Sequence, residues 1–405
     1  MRIAAVEIIS LYEPRAERPR DWWSTTPLDV LYSEETHHLS RRQPGAEARG
    51  SVSNVIVQVH TDEGLSGLGT VGVGSPAAAP VIEHHLAPLL LGQNPFDVEM
   101  LWQTMYRHTL NMGRKGLVLE AISALDIALW DILGKATGQP VYNLLGGRTR
   151  DAIRCYASEL YAREDLGTLT AEAKSYVEQG FTAVKMRFGY GPNDGRVGMR
   201  RNYDLVATVR DAVGPDVDVM GEAYMGWDTA YAVAMIRMVE EFELAWVEEP
   251  VLPDAIEAYA HIRRSVSTPI SGGEHEFTLA GFHQLLRQGA VDVVQPDVNR
   301  MGGITEARKV WALAQAYGVP VVPHSQQAHN AHLVIASLQS PLLEIFPDNE
   351  VRTGYKFFTE FFEGEPQATN GVVHLSDTPG LGIVLNEDVV ERHRAGSVRI
   401  GDSGA

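Results

Sequence analysis

The feature that most constrains the fold of this chain is a repeated alternation of short apolar runs with helical segments. The alternation begins near Ile153 and reaches Ile345, and its period is roughly 25 to 30 residues. Buried parallel strands are typically continuous apolar runs rich in β-branched residues. The eight runs are Ile153–Tyr156, Ala183–Arg187, Val217–Glu222, Leu244–Glu248, Pro269–Glu274, Val291–Asp297, Val319–His324 and Leu342–Ile345.

Strands that alternate with helices predict right-handed crossovers and a parallel α/β sheet. A closed (β/α) barrel and an open doubly wound sheet share this pattern. The number of runs matches the eight strands of a barrel. In addition, no glycine-rich dinucleotide fingerprint follows the first run, as it does in dinucleotide-binding doubly wound sheets. We therefore expect the barrel.

The chain that precedes this repeat has a different pattern. Asn54–His60 and Leu65–Val73 alternate in hydropathy around Thr61–Gly64, which predicts a hairpin. Val81–Leu91 and Leu117–Leu133 have helical spacing, the latter with one apolar face. This part of the sequence therefore predicts a separate α+β unit.

The charge of the chain is strongly negative, with 34 Lys and Arg against 52 Asp and Glu, a net charge of −18. An acidic protein repels phosphate backbones, so nucleic acid is not an expected partner. An anionic substrate would also be repelled unless a metal ion or local basic groups reversed the field at its site.

The single cysteine, Cys155, excludes an internal disulfide and fits a reducing compartment. Glu7 interrupts the apolar N-terminal run and no small-residue cleavage site follows it, so we interpret this run as a strand and not as a signal peptide. No apolar run is long enough to span a bilayer. These observations predict a cytoplasmic protein without a membrane partner.

Polar side chains end seven consecutive runs of the repeat, from the second onward. In a barrel these ends open on one face, where catalytic groups lie. One acidic residue at a strand end is usually a solvated loop residue, but a complete series is hard to attribute to chance. The residues are Lys185 with Arg187, Glu222, Glu248, Glu274, Asp297, His324 and Glu344.

Three of these residues, Glu222, Glu248 and Glu274, are each 26 residues apart, which predicts that they lie on adjacent strands at one height. Three carboxylates without a cation would raise one another's pKa. A divalent cation that prefers oxygen ligands relieves the repulsion, and Mg²⁺ is the natural candidate. The alternative is that one or more of these acids are ordinary ion-pair partners.

Asp297 and His324 end consecutive runs. An Asp that accepts a hydrogen bond from one imidazole nitrogen orients the ring and increases its basicity, as a general base requires. The alternative for His324 is a structural hydrogen bond.

Lys185 and Arg187 alternate with Met186 and should both face the barrel interior, where buried cations need anionic partners. Either the barrel acids or a metal-bound substrate carboxylate could be the anionic partner, and the two interpretations are compatible.

The ordered series of motifs resembles the mandelate racemase subgroup of the enolase superfamily over nearly the whole chain. Within it the chain is most similar to L-rhamnonate dehydratases and related acid-sugar dehydratases, through Gly191–Gly195, Gly198–Arg200, Tyr224–Met225 and Gly273–His275. The subgroup motifs are Thr61–Gly69, Ala124–Asp131, Leu144–Gly147, Ala183–Arg187, Val247–Pro250, Gln295–Asp297, Pro323–His324 and Pro379–Ile383.

This resemblance implies a (β/α)₇β barrel with an N-terminal α+β capping domain that the C-terminal tail completes. We place the cap at 1–130, the barrel at 131–370 and the tail at 371–405, with a specificity segment at about 13–49. The resemblance also implies a symmetric homo-oligomer. For the site it implies Mg²⁺ ligation by the three glutamates, an Asp297–His324 base, and Glu344 as a hydrogen-bonding acid near the substrate carboxylate.

Two positions depart from the pattern of the subgroup. Glu222 stands where Asp is common, so a longer side chain must be accommodated. Arg187 stands where the racemases carry a second lysine base, and arginine stays protonated in proteins. A single base, His324, suits elimination better than racemisation. We therefore expect removal of the proton next to a carboxylate and loss of the β-hydroxyl, to give a 2-keto-3-deoxy sugar acid.

A cycloisomerase, lactone-forming or epimerising enzyme on the same scaffold remains an alternative, as does a non-catalytic oligomeric binding protein. Sugar hydroxyls are expected to meet Arg187 and the polar 13–49 segment, whose other interpretation is a mobile lid or subunit contact. His275, Asn299 and His329, beside strand ends, are further candidates for the pocket. The candidates in the 13–49 segment are Trp22, Trp23, His37, His38, Arg41 and Arg42.

Overall fold

The computed structural model describes residues 1–14, 22–33, 51–71, 76–347 and 359–401. The strands in chain order are β1 (Ile3–Pro14), β2 (Trp22–Trp23), β3 (Ser51–Thr61), β4 (Ser66–Thr70), β5 (Ile153–Ser158), β6 (Ala162–Arg163), β7 (Ala183–Arg187), β8 (Asp218–Glu222), β9 (Trp246–Glu248), β10 (Ile270–Gly272), β11 (Val293–Val294), β12 (Leu343–Ile345), β13 (Phe362–Glu363), β14 (Val372–Val373), β15 (Val384–Leu385) and β16 (Arg394–Gly401).

The α-helices in chain order are α1 (Ala78–Val81), α2 (Ala87–Leu90), α3 (Val98–His108), α4 (Leu117–Thr137), α5 (Val141–Leu144), α6 (Leu166–Glu178), α7 (Gly195–Val213), α8 (Thr229–Val239), α9 (Ile256–Ser265), α10 (Thr278–Arg287), α11 (Val298–Met301), α12 (Gly303–Tyr317), α13 (Ala328–Ile335) and α14 (Glu387–His393). A π-helical turn, Ile82–Leu86, joins α1 to α2. None of the described helices combines the length and the apolar character that a bilayer span requires.

Both ends of the chain build the sheet of the N-terminal unit. Its strand order is β16-β1-β3-β4, and each neighbouring pair is antiparallel. The predicted hairpin is formed by β3 and β4, with His60 opposite Ser66. On the other side β16 covers the edge of β1, with Ile400 opposite Val6. The C-terminal strand therefore completes the cap sheet.

A curled parallel sheet follows in the order β11-β10-β9-β8-β7-β5-β12. The predicted strand Ala183–Arg187 matches β7 from end to end. The seventh predicted run is different, because it joins the sheet only through a single parallel bridge between Val321 and Val294. Pro320 and Pro323 lack amide hydrogens, so this run cannot supply a full set of ladder hydrogen bonds.

Helix α4 joins the cap to the barrel. Its Asp126 carboxylate accepts a hydrogen bond from the Thr305 amide at 2.9 Å, at the start of α12. Its Asp131 accepts from the amides of Leu68 in the hairpin and Leu381 in the tail, at 3.0 and 2.8 Å. The helix runs without interruption through residue 130, where the cap boundary was placed.

The described part of the 13–49 segment lies across the rim of the barrel. β2 pairs with β6, which follows the first barrel strand. The Trp23 indole donates to the Gly189 carbonyl at 2.8 Å, and the Thr25 hydroxyl donates to the Ala223 carbonyl at 2.7 Å. Loops that follow three barrel strands therefore hold this part of the segment on the face where the polar strand ends open.

Candidate active site and metal centre

The barrel brings together the three glutamates predicted as metal ligands. Glu222 and Glu248 are opposite each other in the β8–β9 register. Glu274 is not at the same height, because β10 ends at Gly272 and Glu248 pairs with Ser271. The backbone turns at Gly273, whose φ of +124° is a conformation that residues with a Cβ atom rarely adopt.

Despite this turn, oxygen atoms of the three carboxylates lie within 4.8 Å of one another, and all three side chains are buried. Burial and the neighbouring Glu248 carboxylate raise the pKa of Glu222 well above its ordinary value. Crowded, buried carboxylates of this kind need a cation. An all-oxygen donor set suits a hard ion such as Mg²⁺.

A second group of potential ligands, Glu249, Glu274 and His275, shares Glu274 with the first. One of its members is already engaged, because Glu249 Oε2 lies 2.8 Å from His275 Nδ1. The set also contains an imidazole, which Mg²⁺ does not favour. The three-carboxylate group therefore fits the ion better.

Lys185 lies beneath the acidic group and is almost completely buried. Its Nζ is 2.7 Å from Glu248 Oε1, 3.2 Å from Glu222 Oε2 and 3.0 Å from Glu344 Oε1. Burial alone would lower the pKa of Lys185, but the Glu248 and Glu344 carboxylates raise this pKa well above its ordinary value. The ammonium is therefore a fixed positive charge in the barrel interior.

Asp297 and His324 form a hydrogen-bonded pair, with His324 Nδ1 2.8 Å from Asp297 Oδ2. Burial opposes charge on the ring, but Glu274 and the Asp297 hydrogen bond raise the pKa of His324 to about 9. Because the Asp297 carboxylate only accepts hydrogen bonds, Nδ1 carries the proton. His324 Nε2 is 3.5 Å from Glu274 Oε1, so the ring lies beside the candidate metal centre.

Glu344 closes the group on the last barrel strand. Its Oε2 accepts a hydrogen bond from the Ser325 amide at 2.6 Å, while Oε1 faces Lys185. Burial favours protonation, but Lys185 and His324 lower the pKa of Glu344 to about 2. The Glu344 carboxylate is therefore held between Lys185 and the backbone of Ser325, the residue that follows His324.

Arg300 was not predicted from the sequence, yet it links the two halves of the site. Its guanidinium NH1 is 2.8 Å from Glu274 Oε1, and its Nε is 3.4 Å from Asp297 Oδ2. Burial opposes its charge, but Asp297 and Glu274 raise the pKa of Arg300. A lone arginine three residues beyond an aspartate gives no periodic signal, so the sequence did not single it out.

Arg187 lies beside the acids and against the rim. Its NH1 is 3.7 Å from Glu222 Oε2, and its guanidinium lies 4.8 Å from the centre of the Tyr161 ring. Trp22 packs on the same tyrosine, with its ring centre 4.3 Å from that of Tyr161. Two candidates for substrate binding, Arg187 and Trp22, are therefore joined through a tyrosine that sequence reasoning missed.

The remaining candidate residues are placed less centrally. His275 is partly exposed and lies with its Nε2 3.9 Å from Glu274 Oε1. His329 is buried on α13, where burial lowers its pKa to about 4, and its Nε2 has no hydrogen-bond partner among the described residues. His37, His38, Arg41 and Arg42 lie outside the described residues.

Two family models match the chain, and they agree with its fold. Residues 33–146 match the mandelate racemase / muconate lactonizing enzyme N-terminal domain, and residues 168–389 match the enolase C-terminal domain-like family. The chain belongs to the enolase superfamily, in its mandelate racemase and muconate lactonizing enzyme branch.

Among its relatives, the L-rhamnonate dehydratase of Saccharopolyspora erythraea is 38% identical over 367 residues, 90% of each chain. The L-talarate/galactarate dehydratase of Salmonella typhimurium LT2, solved with Mg and L-lyxarohydroxamate, is 29% identical with a TM-score of 0.82, over 99% of this chain and 95% of that one. The 3,6-anhydro-D-galactonate cycloisomerase of Zobellia galactanivorans is 30% identical, with a TM-score of 0.81. The similarity covers 98% of this chain and 100% of the cycloisomerase.

Proposed function

We propose that this protein is a Mg²⁺-dependent dehydratase of acid sugars, with L-rhamnonate as the first substrate to test. The observation that carries the proposal is the Asp297–His324 pair, 2.8 Å apart, beside three buried carboxylates. The substrate class comes from the relatives named dehydratases, one of which is 38% identical over 90% of this chain.

Glu222, Glu248 and Glu274 would hold the ion. When bound, Mg²⁺ supplies positive charge beside the substrate carboxylate and so favours loss of the neighbouring proton. Lys185 adds a second fixed charge, which is preorganised because its carboxylate contacts hold the ammonium in place. Both charges also reverse the local field of an acidic protein and attract an anionic substrate.

Against the effect of burial, Glu274 is the main cause of the raised pKa of His324, and a cation bound to Glu274 would offset that effect and favour the neutral ring. Neutral His324 would take the proton on the carbon next to the carboxylate through Nε2, with Asp297 holding the ring in the required tautomer. The C–O bond to the β-hydroxyl then breaks, and the imidazolium returns its proton to that oxygen, which leaves as water. The resulting enol rearranges to a 2-keto-3-deoxy acid. Proton and oxygen balance without any further reactant. Arg187 is not a base for the opposite face, because arginine stays protonated.

The direct test is turnover of L-rhamnonate and of a wider acid-sugar panel, detecting 2-keto-3-deoxy products by semicarbazide absorbance. EDTA should abolish turnover and Mg²⁺ should restore it. His324→Asn should lower kcat by at least about a hundredfold, the usual contribution of a general base. The control variant, His283→Asn, changes an exposed histidine on α10 and should leave turnover unchanged. Full turnover by His324→Asn would overturn the assignment.

A cycloisomerase is the second candidate, because the similarity to the 3,6-anhydro-D-galactonate cycloisomerase is as extensive as that to the dehydratase structures. Both reactions can begin with a metal-assisted proton transfer, so the site geometry fits either. Ring opening or ring closure of a panel compound without loss of water would favour the cycloisomerase. No Mg²⁺-dependent turnover at all would favour a non-catalytic binding protein.

We also infer a cytoplasmic homo-oligomer, from the resemblance to the family and from the only cysteine. Cys155 has no second cysteine in this sequence to pair with, so no internal disulfide requires an oxidising compartment. The thiol is completely buried, and burial raises its pKa to about 12, which makes it unreactive. Light scattering of the purified chain would measure the number of subunits.

A further inference from the structure

Three buried polar side chains form a closed ring of hydrogen bonds between the cap and the barrel. The Thr70 hydroxyl, at the end of β4, donates to Asn299 Oδ1 at 3.0 Å. Asn299 Nδ2 donates to Gln327 Oε1, and Gln327 Nε2 donates back to the Thr70 hydroxyl at 3.3 Å. Each of the three side chains is at most 6% exposed, so water does not compete for these hydrogen bonds.

Asn299 and Gln327 belong to the two loops that carry the proposed base. Asn299 follows Asp297 by two residues, and the backbone amide of Asn299 donates to Asp297 Oδ1 at 2.8 Å. Gln327 follows His324 by three residues and precedes α13. The ring therefore ties the loop of each member of the pair to the other loop and to one hydroxyl of the cap.

A second set of contacts fixes the loop that carries Asp297. The Gly302 amide donates to the Ser123 hydroxyl at 2.9 Å, and the Gly302 carbonyl accepts from the Trp102 indole at 2.7 Å. Both partners belong to cap helices. The cap thus holds this loop at both ends of α11, at Asn299 and at Gly302.

From this geometry we propose that Thr70 is a positioning residue for the Asp297–His324 pair, so that the cap contributes to the proton transfer as well as to substrate binding. The inference rests on the proposed role of His324 as the base. Thr70 acts through Asn299 and Gln327, since its hydroxyl is the only member of the ring that the cap supplies.

Thr70→Val removes the hydroxyl at nearly constant shape and leaves two buried amide groups without that partner. Because small displacements of a reacting group cost up to about a hundredfold in rate, kcat should fall about tenfold to a hundredfold while KM changes less than about twofold. Thr70→Ser keeps the hydroxyl and should retain most of the wild-type kcat. Thr109→Val is the matched control, since Thr109 is a buried threonine of the cap whose hydroxyl donates to the Met105 and Tyr106 carbonyls of α3.

A readout without substrate separates this inference from the proposed function. In histidine-labelled protein, the Nδ1–H resonance of His324 is identified by its loss in His324→Asn. It should shift in Thr70→Val and stay in place in Thr70→Ser and Thr109→Val. If the wild type turns over no acid sugar, the proposed function fails, and the resonance alone decides the inference. If Thr70→Val only lowers the melting temperature, as Thr109→Val does, and leaves kcat and the resonance unchanged, the ring is merely structural and the proposal is wrong.

Discussion

At the residue scale, hydrogen bonds orient the carboxylates that we propose as metal ligands. Glu248 is the clearest case, because its Oε2 accepts from the Trp246 indole at 3.0 Å and from the Gln295 amide at 2.9 Å. Its Oε1 is left facing Lys185. Partners of this kind orient metal ligands and are part of the design of a metal site.

Lys185 is the internal counter-ion of the acidic group, so Lys185→Met should destabilise the protein. Removing one partner of a buried ion pair typically costs about 3–5 kcal/mol, because the remaining charges are unpaired. Urea unfolding in EDTA should show this loss. Saturating Mg²⁺ should recover more stability in the variant than in the wild type, because the ion replaces part of the missing positive charge.

Lys174→Met is the control for this prediction, since Lys174 is exposed on α6. That variant should unfold like the wild type in EDTA and in Mg²⁺. A Lys185→Met variant as stable as the wild type in EDTA would show that the buried acids do not depend on this ammonium.

At the element scale, α4 is the joint of the molecule, and its acidic side chains act as caps for other elements. Asp126 accepts the amide of Thr305 at the first turn of α12, where the helix dipole favours an acceptor. Gly303, with φ +76°, allows the close approach, since a Cβ there would lie 2.4 Å from Asp126 Oδ2. The motif that contains Asp126 therefore has a structural role.

Burial raises the pKa of Asp126 to about 7 in the folded protein, partly opposed by the hydrogen bond from Thr305. The ordinary value is about 3.9, so between these values the folded state binds the proton more tightly than the unfolded state. The contribution of Asp126 to stability is therefore present below about pH 4 and is lost as the pH rises toward 7.

Asp126→Asn keeps an acceptor for the Thr305 amide but cannot ionise. Its stability relative to wild type should rise from pH 5 to 7 and level off above, by an amount on the order of 1–3 kcal/mol. Urea unfolding at each pH measures the difference, with Asp211→Asn on the exposed surface as control. A difference that is constant with pH would mean that Asp126 is already ionised in the folded protein at pH 5.

At the scale of the whole molecule, the chain returns to its starting point. β16 pairs with β1 over Ala5 to Leu11, so the cap depends on residues nearly four hundred positions apart. This arrangement protects an edge strand that would otherwise expose unpaired backbone groups. The tail also passes Asp131 of α4, which binds the Leu381 amide.

Truncation after His393 removes β16 and exposes the edge of β1. We expect a lower melting temperature, a tendency to aggregate, and loss of turnover, because Thr70 belongs to the same sheet. Thermal melting followed by circular dichroism and light scattering would measure the first two effects. Removal of residues 402–405 alone is the control and keeps all β1–β16 pairs. A soluble, active protein that ends at His393 would contradict the prediction.

Much of the fold and the candidate site could be predicted because periodicity reports burial. A strand buried on both faces must be apolar, so a polar residue at its end stands out, and Glu222, Glu248 and His324 became candidates in this way. The sequence also predicted the β3–β4 hairpin and α4. The seventh run was less regular than expected, since Pro320 and Pro323 remove donors that hydropathy does not register.

By itself, the sequence determined the class of the protein: a strand–helix repeat with acids and a histidine at the strand ends, since local pattern fixes which side of each element is buried. The tertiary structure decided how those groups are held. The Gly273 turn sets the position of Glu274, Arg300 bridges Glu274 and Asp297, and Thr70 reaches Asn299 across 229 residues. Such contacts depend on how distant segments pack, and a hydrogen bond between single side chains leaves no periodic trace in the chain.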